Sequence, residues 1–281
     1  MKQRVKKVFT TRFGYSSELV VKAPGRINII GEHTDYNEGF VLPAAIDYAN
    51  YFAFAKSSGS TTRLFSADYD LLYEVDKDRV VKTDEKWVNL ILGVVHHLSD
   101  RIGQFDVVFA GNIPQGAGLS SSAALCCGLG FGLSELFQLN IEKWTIAKMA
   151  QRSEHEFGGV KCGIMDQFAS VFGMTNHVLE LNCKTLEHQA HEFDISGYRF
   201  LLLDSGVTHE LENSAYNVRR QECQSVINKL KKATYDRISY QDLSVEILDT
   251  HKQLFTQDEY KRAKHIVTDN SRVGQMVSFL K

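Results

Sequence analysis

Residues 25–43 read Gly-Arg-Ile-Asn-Ile-Ile-Gly-Glu-His-Thr-Asp-Tyr-Asn-Glu-Gly-Phe-Val-Leu-Pro. The apolar part of this segment ends at Gly31, and the ionisable side chains Glu32, His33 and Asp35 follow directly. Carboxylates accept hydrogen bonds from hydroxyl groups, and a site built in this way discriminates against analogues that lack the hydroxyl. The segment therefore predicts a strand that leads into a binding site for a hydroxyl-rich ligand. A solvated turn with ordinary charges is the alternative interpretation.

A second segment predicts an anion-binding loop. Residues 105–109 alternate as a strand does, 112–118 (Asn-Ile-Pro-Gln-Gly-Ala-Gly) form a loop, and 119–125 (Leu-Ser-Ser-Ser-Ala-Ala-Leu) open an apolar helix. The glycines allow close approach of a ligand, the serines offer hydroxyls that cap the helix, and the N–H groups of the first helical turn suit a triphosphate. The loop is not of the Walker type, because no Gly-Lys-Ser/Thr follows the glycines. A plain glycine-rich helix start remains the alternative.

Two carboxylates flank a glycine break further along the chain. Glu154 closes one helical segment, glycines at 158–159 interrupt it, and Asp166 lies in the first turn of a second apolar helix at 163–172. An acidic residue in a first turn could simply complement the helix dipole. In a chain with a phosphate-binding loop, the two carboxylates instead suggest a metal ligand and a general base.

The composition limits the class of protein. The 281 residues are 43% hydrophobic and 23% charged, which predicts a soluble globular chain of one or two domains. The formal net charge of −2 gives no electrostatic basis for binding nucleic acid or a membrane surface. The sequence shows no apolar run of membrane-spanning length and no signal-peptide core. Five cysteines without metal-ligand spacing favour reduced thiols, and hence a cytoplasmic protein.

The pattern of apolar residues predicts an α+β arrangement. It predicts strands at 19–21, 27–30, 51–55, 63–66, 105–109, 178–181 and 199–204. It predicts helices at 87–102, from 119 to 137, and at 141–155, 163–172 and 263–280, with a mostly helical region from Asn213 onward. We expect an N-terminal domain at 1–180, which carries the segment at 25–43 and the anion-binding loop at 112–118, and a partial C-terminal domain at 181–281.

In this order, the three motifs resemble those of the galactokinases, in the GHMP small-molecule kinase superfamily. Residues 213–223 (Asn-Ser-Ala-Tyr-Asn-Val-Arg-Arg-Gln-Glu-Cys) resemble the tyrosine-containing substrate segment of that family. The resemblance, from about Phe13 to Val273, implies a two-domain α+β fold with the active site in the interdomain cleft. The late glycine-rich motif of galactokinases does not occur in this sequence. We therefore expect an incomplete second domain, and a chain less stable and less active than an extended one.

The resemblance also implies a reaction and its residues. The reaction is transfer of the γ-phosphoryl group of ATP to the C1 hydroxyl of D-galactose with Mg²⁺. Asp166 matches the catalytic base and Arg26 the charged group beside it, although a structural ion pair would also explain Arg26. The implied sugar-binding residues are Glu32, His33, Thr34, Asp35, Gly163 and Tyr216. The implied nucleotide-binding residues are Ser66, Gly116, Ala117, Gly118, Leu119, Ser120, Ser121 and Ser122, and the implied magnesium ligands are Ser122 and Glu154.

Three alternatives remain open. Another GHMP kinase could act on N-acetylgalactosamine, arabinose, mevalonate or homoserine, although the sugar motif argues against the last two. A galactose-binding regulatory protein is a second alternative, but such proteins lose a Ser-Ala pair that is intact here at residues 120–123. An inactive truncated galactokinase is the third. We expect a monomer whose partners are galactose and ATP, with no nucleic acid and no membrane.

Overall fold

The computed structural model describes residues 1–114, 116–203, 209–233 and 237–281, with the side chains at 209–215 outside that description. The helices are α1 (Lys2–Phe13), α2 (Lys86–Leu98), α3 (Ser121–Leu136), α4 (Lys143–Glu156), α5 (Met165–Phe172), α6 (His209–Ala233), α7 (Val245–Thr250) and α8 (Gln257–Leu280). The strands are β1 (Leu19–Asn28), β2 (Phe40–Val41), β3 (Pro43–Lys56), β4 (Thr62–Ser66), β5 (Leu71–Val75), β6 (Phe105–Gly111), β7 (His177–Asn182) and β8 (His188–Glu192). Within the described ranges, none of the helices has the length and apolar character needed to cross a membrane.

The chain forms two compact units, each assembled from separate stretches of sequence. The first unit comprises Met1–Arg26, Ala45–Cys162 and Asp166–Phe172. The second comprises Ile27–Ala44, Gly163–Met165 and Gly173–Lys281. The predicted domains, 1–180 and 181–281, are continuous, and that boundary stays a prediction. The loop at 31–40 therefore belongs to the second unit, and the glycine- and serine-rich loop at 116–122 belongs to the first.

The first unit is built on a mixed five-stranded sheet with the strand order β1-β3-β6-β4-β5. β6 lies at its centre, antiparallel to β3 and parallel to β4. Successive side chains of a strand point to opposite faces of the sheet. In β3, Phe52 and Phe54 face α3, whereas Ala53 and Ala55 pack in a cluster with Phe9 of α1. Helices therefore cover both faces of this sheet.

Two glycines one turn apart allow α3 to lie close to β3. A Cβ atom added at Gly128 would overlap the ring of Phe52, and one added at Gly132 would overlap the ring of Phe54. Glycine inside a helix costs about 1 kcal/mol relative to alanine, but only glycine leaves room for the two rings here. This close packing fixes α3, and with it the loop at 116–122 from which the helix begins.

The second unit combines a three-stranded antiparallel sheet, in the order β2-β7-β8, with α6, α7 and α8. α8 begins with a capping box, in which Thr256 Oγ1 accepts the N–H of Glu259 and the Glu259 carboxylate accepts the N–H of Thr256. Lys229 of α6 donates to the same carboxylate at 2.6 Å. Near its other end, Val273 and Val277 of α8 are buried in a cluster with side chains of β3 and β7. Both ends of α8 are therefore anchored within this unit.

These elements confirm the predicted α+β class and most of the predicted segments. The strands predicted at 19–21, 51–55, 63–66, 105–109 and 178–181 all lie within observed strands, and each predicted helix overlaps an observed one. The helix predicted at 87–102 ends at Leu98, and a 3₁₀ turn follows at Ser99–Arg101.

Two predicted strands were wrong in whole or in part. β1 ends at Asn28, so Ile29 and Ile30 lie beyond it. Residues 199–203 form no strand, and the side chains of Leu201 and Leu203 are exposed there. Asp204, the last residue of that predicted strand, lies outside the described residues. The strand at 199–204 was predicted because this run is mostly apolar, but an apolar run does not by itself show that a segment is buried in a sheet.

The packing of α3 predicts opposite effects for one substitution at two helical glycines. Gly132→Ala should lower the free energy of unfolding by about 1–3 kcal/mol, because the added methyl group overlaps the Phe54 ring. Gly274→Ala is the matched control. Gly274 is exposed in α8 with nothing within 4 Å of the added Cβ, so alanine should raise the free energy of unfolding by about 0.5–1 kcal/mol. Urea unfolding curves measure both, and equal stabilisation would contradict the packing described for α3.

Candidate active site

The phosphate loop, residues 116–122, follows β6 and leads into α3. Gly116 and Gly118 have φ angles of +72° and +70°, which glycine adopts without strain. Because α3 begins at Ser121, the N–H groups of its first turn have no partner within the helix. The Leu119 carbonyl accepts the N–H of Arg26 at 3.1 Å, which holds the loop against β1. Free N–H donors at the positive end of a helix dipole form an arrangement that binds phosphate.

The serine hydroxyls of this loop do not cap α3 as predicted. Ser120 has a φ of +60°, and its side chain makes no capping hydrogen bond. Its hydroxyl instead donates to Oδ2 of Asp166 at 2.7 Å. The Ser122 hydroxyl donates to Oε2 of Glu154 at 3.1 Å. The capping prediction was wrong for Ser120 because this residue has a left-handed backbone, rather than the extended backbone of a serine whose side chain caps a helix.

Asp166 connects three parts of the first unit. Nε of Arg26 donates to Oδ1 of Asp166 at 2.7 Å, and a terminal nitrogen of the same guanidinium donates to the Gly118 carbonyl at 2.6 Å. With Ser120 on Oδ2, each carboxylate oxygen of Asp166 accepts a hydrogen bond, which fixes its orientation. The Asp166 side chain is still 25% exposed. The carboxylate is therefore both oriented and accessible beside the phosphate loop.

Glu154 is a second carboxylate in the same unit, in a more buried position. Its Oε2 accepts the Ser122 hydroxyl, and its Oε1 accepts Nε2 of Gln167 at 2.8 Å. Burial, and next the charge of Asp166, raise the pKa of Glu154 to about 7. Gln167 is fully buried, and its Oε1 atom has no hydrogen-bond partner. Sequence analysis missed Gln167, because only its position after Asp166 connects it to a motif.

The oxygen atoms around Glu154 fit a magnesium ion bound to a nucleotide. In the described part of the chain, no three or more His, Cys, Asp or Glu side chains group as a metal cluster. Mg²⁺ does not require such a cluster, because it is usually bound through one or two protein oxygens together with phosphates and water. Glu154 and Ser122 supply two oxygen donors, and the unpartnered amide oxygen of Gln167 adds negative potential nearby. A divalent cation would also offset the repulsion between the two carboxylates.

The acidic loop, residues 31–40, carries the predicted sugar-binding residues of the second unit. Gly31 and His33 have φ angles of +99° and +64°. The Thr34 side chain is fully buried, and its hydroxyl lies 2.7 Å from the Gly31 carbonyl and 2.6 Å from the Phe40 carbonyl. This threonine closes the loop on itself, and its predicted contact with a ligand stays a prediction.

Glu32 and Asp35 each have a close neighbour in the same unit. Oε1 of Glu32 accepts Nδ2 of Asn28 at 2.9 Å. The Asp35 carboxylate lies directly against Gly163, where a Cβ atom would overlap it. Gly163 therefore contributes by leaving space for the Asp35 carboxylate, which gives a physical reason for glycine at that predicted position.

An aromatic and imidazole cluster surrounds His33. The Tyr36 and Tyr216 rings lie 5.0 Å apart between centroids, and Tyr216 lies 6.0 Å from the His33 ring. Burial, and next the Arg219 guanidinium, lower the pKa of His33. A guanidinium can only donate, so Nε2 of His33 accepts from Arg219 at 3.1 Å, and Nδ1–H then donates to the Tyr36 oxygen at 2.9 Å. His33, Tyr36, Arg219 and His265 line a cavity of about 320 Å³.

The structure brings the predicted residues together in two groups. Arg26, the phosphate loop, Glu154 and Asp166 form one group in the first unit. The acidic loop, Gly163 and Tyr216 belong to the second unit. Ser66 is buried in β4, where its hydroxyl oxygen accepts the N–H of Tyr69 at 3.4 Å, and its predicted nucleotide contact stays a prediction. Sequence analysis did not single out Tyr36 or Arg219, although Tyr36 lies within the segment at 25–43 and Arg219 within the segment at 213–223.

Comparison with known proteins gives two family matches. Residues 7–56 match the galactokinase galactose-binding signature, and residues 89–174 match the N-terminal domain of the GHMP kinases. These two segments contain the acidic loop, the phosphate loop and the carboxylates of Glu154 and Asp166. The fold and the phosphate loop therefore define the class of the protein as a GHMP kinase.

Individual relatives narrow this class. Galactokinase from Thermotoga petrophila is 40% identical over 264 residues, a match that covers 93% of this chain and 71% of that protein. Galactokinase from Thermotoga maritima matches with the same identity and coverage. The structure of Lactococcus lactis galactokinase complexed with galactose superimposes with a TM-score of 0.84 at 30% identity, covering 97% of this chain and 72% of that one. The chain belongs to the galactokinase family, which confirms the resemblance found in its sequence.

A more distant structure shares the fold alone. The mevalonate kinase of Methanococcus jannaschii has a TM-score of 0.56 at 17% identity, over 85% of this chain and 80% of that one.

Proposed function

We propose that this protein transfers the γ-phosphoryl group of ATP to the C1 hydroxyl of D-galactose, forming galactose 1-phosphate. The observation that carries the proposal is the Asp166 carboxylate, held by Arg26 and Ser120 beside the phosphate loop. Membership of the galactokinase family supports it, and one relative was crystallised with galactose. The match of residues 7–56 to a galactose-binding signature supports the same substrate.

The first unit supplies the groups that phosphoryl transfer requires. In this reaction the protein acts mostly by positioning the reactants and stabilising charge. The N–H groups at the start of α3 would bind the phosphate oxygens of ATP. Asp166 would accept the proton of the attacking hydroxyl, a contribution typically worth about 10²–10⁴-fold in rate. Arg26 would stabilise the negative charge that develops on the attacking oxygen, since its guanidinium already contacts Asp166.

Magnesium would be held by Glu154 and the Ser122 hydroxyl. When bound, the ion would neutralise charge on the phosphates of ATP. Gln167 orients Glu154 from within the protein, because its amide donates to Oε1 while Ser122 donates to Oε2. Both hydrogen bonds hold the carboxylate in one orientation, which limits the rearrangement needed on binding the ion.

The second unit would recognise the sugar. Glu32 and Asp35 would present carboxylate oxygens that accept hydrogen bonds from sugar hydroxyls; Asn28 orients Glu32, and Asp35 lies against Gly163. Burial lowers the pKa of His33, and Tyr216 packs beside its ring. We also propose that the protein is a cytoplasmic monomer. Its five cysteines, all of them described, are free thiols, as expected in a reducing compartment.

A galactose-binding protein without kinase activity is the second candidate from a different class. The features of the first unit favour the kinase, because a sugar sensor has no need for an oriented carboxylate or for a second carboxylate suited to magnesium. Residues 120–123 also retain Ser-Ser-Ser-Ala. Turnover of ATP in the presence of galactose separates the two functions directly.

Asp166→Asn tests the proposed base. The amide keeps the shape of the side chain but cannot accept the hydroxyl proton, so kcat should fall by about 10²-fold or more. The Kd for ATP should stay within about twofold, because the loop N–H groups are unchanged. A coupled assay of ADP release measures turnover, and calorimetry measures ATP binding. Wild-type turnover in the Asn variant would contradict the role assigned to Asp166.

Asp35→Ala and Gly163→Ala test sugar recognition by two different routes. Asp35→Ala removes the acceptor, and Gly163→Ala displaces the same carboxylate by steric overlap. Loss of one buried hydrogen-bond partner typically costs about 1–3 kcal/mol, so the Kd for galactose should rise about 5- to 150-fold in both variants. Gly274→Ala is the matched control and should bind galactose normally. Calorimetric titration measures the Kd for galactose. An unchanged Kd in Asp35→Ala would show that Asp35 does not contact the sugar and only shapes the turn.

A further inference from the structure

A buried carboxylate of α8 binds the backbone of the acidic loop. Oδ2 of Asp269 accepts the N–H groups of Gly31 and Glu32, each at 3.0 Å. Asp269 is only 6% exposed. Its other oxygen lies 3.4 Å from the guanidinium of Arg272, one turn further along the helix and more than half exposed. One carboxylate oxygen therefore satisfies two consecutive N–H groups of the loop that carries the candidate sugar ligands.

Glu32 is held at its N–H, its carbonyl and its side chain. Asp269 accepts its N–H, His265 Nε2 lies 2.8 Å from its carbonyl oxygen, and Asn28 donates to its carboxylate. His265 and Asp269 are four residues apart, and therefore lie on one face of α8. The backbone on both sides of the Glu32 side chain is thus fixed by adjacent residues of a single helix.

The same helix also binds the far end of the acidic loop. Oδ1 of Asn270 accepts the N–H of Phe40 at 2.9 Å. A Cβ atom added at Gly39 would overlap this amide oxygen, so the loop approaches the helix closely at that point. Both ends of the acidic loop are therefore attached to neighbouring residues of α8.

α8 is a suitable anchor because it is firmly packed. Its first turn is closed by the capping box, and Val273 and Val277 are buried on the C-terminal side of Asp269. On the N-terminal side, Ala263 and Ile266 are buried in a separate cluster with α6 and α7. Asp269 thus projects from a segment of helix with buried contacts before and after it.

We propose that Asp269 is a positioning residue for sugar recognition, which sets the Glu32 side chain in its binding orientation by accepting the N–H groups of Gly31 and Glu32. This inference rests on the proposed function of the acidic loop. Without the acceptor, two N–H groups lose their partner and the loop is free to rotate at Gly31. The Glu32 carboxylate then samples several orientations, and galactose has to select the productive one.

The test compares four proteins: wild type, Asp269→Ala, Asp269→Asn and Arg272→Ala. In Asp269→Ala the KM for galactose should rise about 10- to 100-fold, while the KM for ATP stays within about twofold and kcat within about threefold. Asp269→Asn retains an acceptor oxygen and should restore the KM for galactose to within about fivefold of wild type. Arg272→Ala removes only the neighbouring charge and should match wild type within about twofold. A purely structural role would instead lower kcat through a smaller active fraction, with both KM values unchanged.

Hydrogen exchange separates this inference from the proposed function. In protein without ligand, the Gly31 and Glu32 amides should be protected in wild type and exchange faster in Asp269→Ala. Protected amides in a wild-type protein that neither binds nor phosphorylates galactose would overturn the proposed function of the loop, and with it this inference. Faster exchange in Asp269→Ala with an unchanged KM for galactose would overturn the positioning role alone.

A further variant covers the case in which Asp269→Ala does not fold, as judged by thermal melting. His265→Ala removes the contact with the Glu32 carbonyl from a partly exposed position of α8. Its KM for galactose should rise about 3- to 10-fold with the KM for ATP unchanged. An unchanged KM for galactose in both a folded His265→Ala protein and Asp269→Asn, together with no faster exchange of the Gly31 and Glu32 amides in Asp269→Asn, would then overturn the inference.

Discussion

The ion pair between Arg26 and Asp166 joins positions 140 residues apart in the chain, and the chemistry proposed for the first unit depends on it. The guanidinium binds Asp166 through Nε and the phosphate loop through a terminal nitrogen, so a single side chain sets the distance between base and loop. Lysine could not replace it, because a single ammonium group lacks the planar fork needed to make both contacts. Ser120 completes the arrangement from the loop side. The proposed base and the N–H groups proposed to bind phosphate are therefore positioned by the same few hydrogen bonds.

In the second unit, the acidic loop is held in place by side chains that hydrogen-bond to its backbone. Glu32 and Asp35, the carboxylates proposed to bind the sugar, lie on a short loop that contains residues with left-handed backbone conformations. Thr34 closes the loop internally, and Asp269 and Asn270 attach its two ends to α8. Under the proposed function, the entropy of fixing these carboxylates would be lost during folding rather than during sugar binding, which would favour affinity.

The candidate site residues that sequence analysis proposed are those encoded in short segments. Glycine and serine at 116–122 and the charged run after Gly31 indicate their chemistry locally, and the carboxylates Glu154 and Asp166 flank a visible helix break. Asp269 acts on residues 237 and 238 positions away and looks like any charge on an amphipathic helix, so no local pattern identifies it.

The same limit applies to the fold. Apolar periodicity predicted the strands and helices of the first unit well, because they enclose a buried core. Polar β8, which reads His-Gln-Ala-His-Glu, was missed, and the apolar run at 199–203 was wrongly predicted as a strand. In both cases the composition of the segment does not report its pairing.

The central claim, phosphorylation of galactose at C1, is tested most directly by ³¹P NMR of the protein with galactose, ATP and Mg²⁺. The account predicts ADP and a phosphomonoester signal coupled to the anomeric proton, whereas intact ATP or a phosphate on any other carbon would contradict it.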